Sequence, residues 1–273
     1  MKKLLLVSSL LLASHTLYAA EAPQSSAAPA AAEQVKPEFV KVQQLVEAEK
    51  FPEAYKELER LSKAGNTQAT YNLAFLTQAG QGTKADNKKA IQLFEKSSNG
   101  GFAMASYSLA QIYAGGELGV KADPNKAKQY LEKASTQGLD DATIDLAVML
   151  FSEDKPQSDQ QALQKLNPLI QKGHPQAQYV KALYDLGQGI KNKNQQTTQT
   201  GLASIQDLAK KGYIPAMFAA ANIFVKGEIV EQNLDEAKKI FEVLANDNVP
   251  NAKESLDMVN KLIAEKKPAA AKK

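Results

Sequence analysis

The sequence predicts an all-α protein: an α-solenoid of about six helix–turn–helix repeats wound into a right-handed superhelix. Three observations predict it. A Gly followed by Ala four residues later recurs at Gly65/Ala69, Gly101/Ala105, Gly138/Ala142, Gly173/Ala177 and Gly212/Ala216, and Asn248/Ala252 closes the series. The intervals between the Gly positions are 36, 37, 35, 39 and 36 residues. Further apolar and small positions keep a fixed distance from each Gly, which is how a repeat architecture shows itself in a single chain.

The chain begins Met1-Lys2-Lys3, then runs almost unbroken in apolar residues from Leu4 to Ala13 and ends the segment at Leu17-Tyr18-Ala19-Ala20. Charge, apolar stretch and small residues in that order make a secretory signal peptide. The expectation is cleavage after Ala19 or Ala20, with a retained anchor as the alternative, and export to the periplasm. The apolar run is short for a bilayer span, which takes roughly 20 residues. No other segment is apolar enough to span. Residues 20–36, rich in Ala, Pro, Ser and Gln, read as a disordered linker, and 266–273 as a Lys/Ala tail. The solenoid is expected over 37–265.

Eleven residues before each Gly or Asn stand Ala54, Ala90, Ala127, Ala162, Gly201 and Ala237. Seven before stand Leu58, Phe94, Leu131, Leu166, Ile205 and Phe241. Four before stand Leu61, Ser97, Ala134, Leu169, Leu208 and Leu244. These spacings put the three columns on one helical face. Two residues after each Ala come Tyr71, Tyr107, Ile144, Tyr179 and Phe218, followed mostly by Leu-Ala pairs such as Leu73-Ala74 and Leu109-Ala110. Each unit is therefore helix A, a loop, helix B and a tight turn. The turn takes Gly because a helix often ends in the left-handed region, where Gly is unstrained and Asn is next best. Asp123-Pro124 supplies an N-cap acceptor and a Pro at the first helical position of helix B, and Asp86 takes the same place one unit earlier. The segment after Ala252, with Leu256, Val259 and Leu262, reads as a capping helix with a polar outer face.

Gly80-Gln81-Gly82 with Lys89-Ala90, and Gly115 to Val120 with Asp123, Lys126-Ala127, Tyr130 to Ala134 and Gln137-Gly138, resemble the Sel1-like repeat, a relative of the tetratricopeptide repeat. The resemblance covers about residues 38–265 and is strongest over 69–142. It implies an α-solenoid that binds proteins or peptides. Three departures stand out. Phe151 to Pro156 replaces the glycine-rich loop, Pro168 falls within a helix B and should kink or shorten it, and Gly189 to Thr200 reads as a longer polar loop, with Gly187-Gln188-Gly189 in an interhelix turn.

Composition removes several function classes. The formal charge is +3; without Lys2 and Lys3 the chain carries 31 cationic against 30 anionic side chains, a net +1. Near-neutrality with Arg60 as the lone arginine gives no basis for nucleic-acid binding. There is no cysteine, and beyond His15 in the leader the only histidine is His174. No metal or cofactor is expected. Ser152-Glu153-Asp154-Lys155 matches Ser-x-x-Lys of penicillin-interacting enzymes, but the companion Ser-Asp-Asn and Lys-Thr-Gly elements are missing. No catalytic residue is expected, and a cell-wall or β-lactam hydrolase is the weakest reading.

The sequence thus points to a monomeric periplasmic scaffold that binds another envelope or secreted protein, as adaptor, regulator or secretion-system accessory. An immunity-type role against a periplasmic toxic effector is the alternative. His174 and Tyr213, each directly after a turn Gly, are the candidate partner-binding residues.

Overall fold

The computed structural model describes residues 37–270, with side chains to Lys266. The signal peptide and linker expected over 1–36 lie outside the described residues, as do 271–273. Among the described residues there are thirteen helices and no strand. They are α1 (Pro37–Glu47), α2 (Phe51–Lys63), α3 (Thr67–Ala79), α4 (Asn87–Asn99), α5 (Ala103–Gly115), α6 (Pro124–Thr136), α7 (Asp140–Ser152), α8 (Pro156–Gln171), α9 (Pro175–Lys191), α10 (Gln195–Lys210), α11 (Ile214–Lys226), α12 (Leu234–Asn246) and α13 (Ala252–Ala270). Helices A are the odd-numbered ones up to α11 and helices B the even-numbered ones, so the six units are present as six pairs, with α13 as a final unpaired helix. None of the helices among the described residues is long and apolar enough to cross a membrane.

The columns read from sequence are the core. Ala54, Ala90, Ala162, Ala237 and the helix-A alanines 69, 105, 142, 177, 216 and 252 are completely buried, and Leu58, Phe94, Leu166, Ile205 and Phe241 almost or fully so. A buried alanine lets a neighbouring backbone approach, and the large residue one turn later fills the space beside it. Truncating a buried aromatic of this kind costs about 3–5 kcal/mol.

By internal contacts the chain divides into a unit holding residues 37–166 and one holding 167–270, the division falling inside α8 just before Pro168. In the first, Phe39, Leu58 and Leu73 gather α1 to α3, and Phe94, Leu109 and Ile112 gather α4 and α5. In the second, Tyr179, Leu183, Leu186 and Ile205 gather α9 and α10, and Leu234, Phe241 and Val259 gather α12 and α13. Leu256 and Leu262 pack partly buried beside Val259, as a cap requires.

The helix ends explain the repeat length. Gly80, Gly116 and Gly227 stand eleven residues after the helix-A alanine and adopt φ of 70°, 69° and 64°, each donating its N–H back to the carbonyl four residues earlier. Helix A stops there after 13 residues. Helix B then starts on a side-chain cap: Asp86 accepts from Lys89 N–H, Asp123 from Asn125 and Lys126 N–H, and Asn233 from Glu236 N–H. At the turn between units, Gly65, Gly101, Gly138, Gly173 and Gly212 all have φ between 78° and 95°, and Asn248 has 55°. The next residue donates back five positions, as in Phe102 N–H to Ser97 O at 3.2 Å and Leu139 N–H to Ala134 O at 3.1 Å. In the first unit each turn also carries a hydroxyl pair joining helix B to the next helix A: Ser62–Thr70, Ser98–Ser106 and Ser135–Thr143, at 2.8, 2.7 and 2.7 Å.

Two expectations are corrected. Pro168 does not shorten its helix: α8 runs 16 residues through it to Gln171. Nor is Gly189 to Thr200 a long loop, nor Gly187-Gln188-Gly189 a turn. Position 188, where other repeats place the stopping Gly, is Gln, so α9 continues to Lys191; α10 begins at Gln195, capped by Asn194 accepting from Thr197 N–H. The long hairpin is drawn tight by glycine. A Cβ on Gly201 would lie 2.5 Å from Leu186 N, and one on Gly189 2.4 Å from Thr198 N. The 39-residue interval is therefore extra helix, not extra loop. At the other end, α13 takes in the first five residues of the segment read as tail.

Candidate functional site

Core columns face inward, so the face available to a partner consists of helix positions between them. Helices α3 and α5 contain no charged residue in 26 positions, whereas α4 and α6 carry eight charged side chains. An uncharged surface beside charged ones marks where water is least strongly held. On α3 the outward row is Gln68, Asn72 and Phe75; on α5 it is Met104, Ser108 and Gln111; on α7 it is Asp141, Asp145 and Val148. These nine positions stand at equal distances from Ala69, Ala105 and Ala142, and all are half-buried or exposed.

Side-chain contacts tie the three rows together. The Tyr71 hydroxyl lies 3.3 Å from Ser108 Oγ, and the Tyr107 hydroxyl donates to Asp145 Oδ2 at 2.6 Å. Both bonds run from one helix A to the next. Tyr71 sits in an aromatic cluster, edge-on to Phe75 (centroids 4.8 Å apart) and Phe94 (5.6 Å) and tilted against Phe102 (5.0 Å). Phe94 is the buried floor, while Phe75 is 43% and Met104 40% exposed. Large apolar side chains exposed over a rigid aromatic floor are the usual material of a binding anchor. Burial, and after it the charge of Asp145 and its hydrogen bond, push the Tyr107 hydroxyl far above its ordinary value, with Asp141 adding to the effect. Tyr107 therefore remains a neutral donor, and the α7 end of the face is electronegative.

His174 and Tyr213 fall in one column with Phe102 and Leu139, the N-cap residue of each helix A. Tyr213 is half-buried and packs edge-on to Tyr179, centroids 5.6 Å apart, just as Phe102 packs against Tyr71. His174 is half-buried too, with Nδ1 enclosed and no hydrogen-bond partner among the described residues. Both lie in the unit holding 167–270. The Ser-x-x-Lys resemblance has no site around it. Ser152 donates to Met149 O, and Glu153 takes Lys128 Nζ at 2.6 Å and Ser158 Oγ at 2.7 Å. Lys155 approaches Glu153 to 3.8 Å.

The family comparison follows the same geometry. The Sel1 repeat family matches residues 67–102, 103–139 and 214–248. Those three stretches are Sel1 repeats. They are α3–α4, α5–α6 and α11–α12, the three pairs in which a left-handed Gly stops helix A. Sel1 repeats generally mediate protein–protein interaction, and proteins built from them are generally non-enzymatic scaffolds. Among solved structures, the chain is similar to a Sel1 repeat protein from Oxalobacter formigenes (TM-score 0.63, 21% identity, covering 84% of this chain and 90% of that one). It is also similar to a protective antigen present in uropathogenic Escherichia coli strains that displays an SLR fold (TM-score 0.59, 21% identity, covering 76% of this chain and 44% of that one). The chain spans less than half the length of that antigen. Both likenesses concern the fold. Comparison with curated protein sequences gives no match.

Proposed function

We propose that this chain is an exported, periplasmic Sel1-repeat scaffold, an adaptor, regulator or secretion accessory that holds a segment of another envelope protein on the outward face of α3, α5 and α7. The observation that carries the reading is the pairing of exposed Phe75 and Met104 with two helices that lack charge altogether. A partner segment loses little by displacing water there and gains apolar contact on a face already ordered. The lysine-led apolar leader supports export.

Photo-crosslinking in the producing cell tests this. A crosslinking residue at position 75, 104 or 111 should trap one discrete envelope protein, and the same residue at exposed Gln92 or Gln129 on helices B should not. Fractionation should find the adduct in the periplasm. Adducts formed only from positions 92 and 129, or none from the face, would overturn the assignment.

A further inference from the structure

We infer that the segment held on this face is an extended stretch of protein with an aromatic or large aliphatic residue and a lysine or arginine roughly three to seven positions apart; the inference rests on the reading of the face as the partner site. The first half follows from the aromatic cluster. The rings of Tyr71, Phe75 and Phe102 form one cluster, and Phe75 and Met104, exposed on neighbouring helices A, offer contact to an apolar or aromatic side chain.

The second half follows from charge. Along the row away from Phe75 and Met104, the first charges met are Asp141, exposed, and Asp145, half-buried on the Tyr107 hydroxyl. No lysine stands on α3 or α5, the helices that carry Phe75 and Met104. Asp140 adds a third negative charge at the start of α7. A cation carried by the partner gains there, while an anion is repelled. Phosphate-bearing partners, lipid or nucleic acid, are disfavoured on the same ground.

The spacing follows from helix packing. Adjacent packed helices stand about 8–10 Å apart, so one helix spacing separates Asp141 from Met104, which holds the same register, and two spacings with about 10 Å along the axis separate it from Phe75. An extended chain covers about 3.3 Å per residue, which gives roughly three to seven positions.

The test selects random dodecapeptides displayed on phage against the purified full chain. The expected winners pair an aromatic or large aliphatic residue with a cation at that spacing. In a synthetic winner, Lys→Glu should weaken binding about fivefold at low salt, the scale of one exposed ion pair, and Asp141→Lys should remove or reverse that preference. Asp141→Asn separates charge from any local change. Winners weakened by Met104→Ser and Phe75→Ser but lacking any cation preference would overturn this inference and leave the face as the partner site. Winners indifferent to both substitutions, or no winners at all, would overturn both. Met104→Ser serves where Phe75→Ser disturbs packing on Phe94.

Discussion

The Tyr107 hydroxyl and Asp145 Oδ2, 2.6 Å apart, bind two successive helices A across a repeat boundary. The same step one repeat earlier joins Tyr71 to Ser108 at 3.3 Å. The tyrosine column is thus more than apolar filling: its ring packs inward and its hydroxyl reaches the next repeat's outward row. Tyr107→Phe should cost about 1.5–3 kcal/mol in urea unfolding, the scale for a bond to a charged acceptor.

That same bond has a pH signature. Burial and Asp145 raise the Tyr107 ionisation above its unfolded value of 10.0. Above pH 10 the unfolded chain gives up this proton and the folded chain keeps it. The stabilisation is therefore complete below pH 10 and is lost as pH rises beyond it. The gap between native protein and Tyr107→Phe should be constant from pH 7 to 9 and narrow above 10; a gap independent of pH would contradict the assignment.

Glu153 gives the opposite sign. Hydrogen bonds from Lys128 and then Ser158 hold its carboxyl below the ordinary 4.5. The stability it contributes is present above pH 4.5 and lost as pH falls through the lowered value. Glu153→Gln should therefore differ from the native protein near neutrality and converge with it in acid, as read from unfolding midpoints between pH 3 and 7.

How much of this was legible in the sequence depends on whether a position repeats. Ala54, Leu58 and Ala69 recur because every unit must bury them, so a single chain displays them six times. Phe75, Met104 and Asp141 occupy outward rows whose neighbours in register are Gln111, Gln68 and Met104 again, with nothing held constant. Only subtraction of the core columns exposes such rows. The polar run from Gly189 to Thr200 misled for a different reason. Its residues are those of a loop, while the decisive facts are Gln188 in place of a stopping Gly and the clearance that Gly189 and Gly201 provide. His174 and Tyr213 were singled out by their place after a turn, yet that place is the N-cap, where the ring of Tyr213 goes onto Tyr179.

The turn glycines differ in what they protect, and Gly138 isolates the backbone contribution. A Cβ there meets no atom within 4 Å, so only φ of 89° opposes a side chain. Gly138→Ala should cost about 1–2 kcal/mol, the penalty of a left-handed L-residue. Gly138→Asn should cost less, since Asn248 holds the equivalent turn at φ 55°. Thermal unfolding of the two variants gives the ranking, and equal losses would show that the turn's tolerance for Asn248 is not a property of its backbone.

Gly201 isolates sterics instead. It is helical and buried, and its missing Cβ leaves room for Leu186 N at 2.5 Å and Ala182 O at 2.7 Å. Both are backbone atoms of α9, so no side-chain rotation relieves the clash; the helices must separate. Helix propensity favours Ala over Gly by up to about 1 kcal/mol, and overpacking of a filled site costs about 1–3 kcal/mol. Steric cost wins here because the obstructing atoms cannot move alone. Gly201→Ala should therefore lower the urea midpoint, although the same change at a spacious helical site raises it. The five equivalent positions already carry alanine and are fully or almost fully buried, so Ala127→Gly should also destabilise, through a small cavity and lost propensity. Opposite substitutions in one column would then both be harmful, each for the distance its own helix pair keeps. A stabilised Gly201→Ala would show that α9 and α10 can part without loss, and the tight hairpin would no longer account for the longest repeat interval.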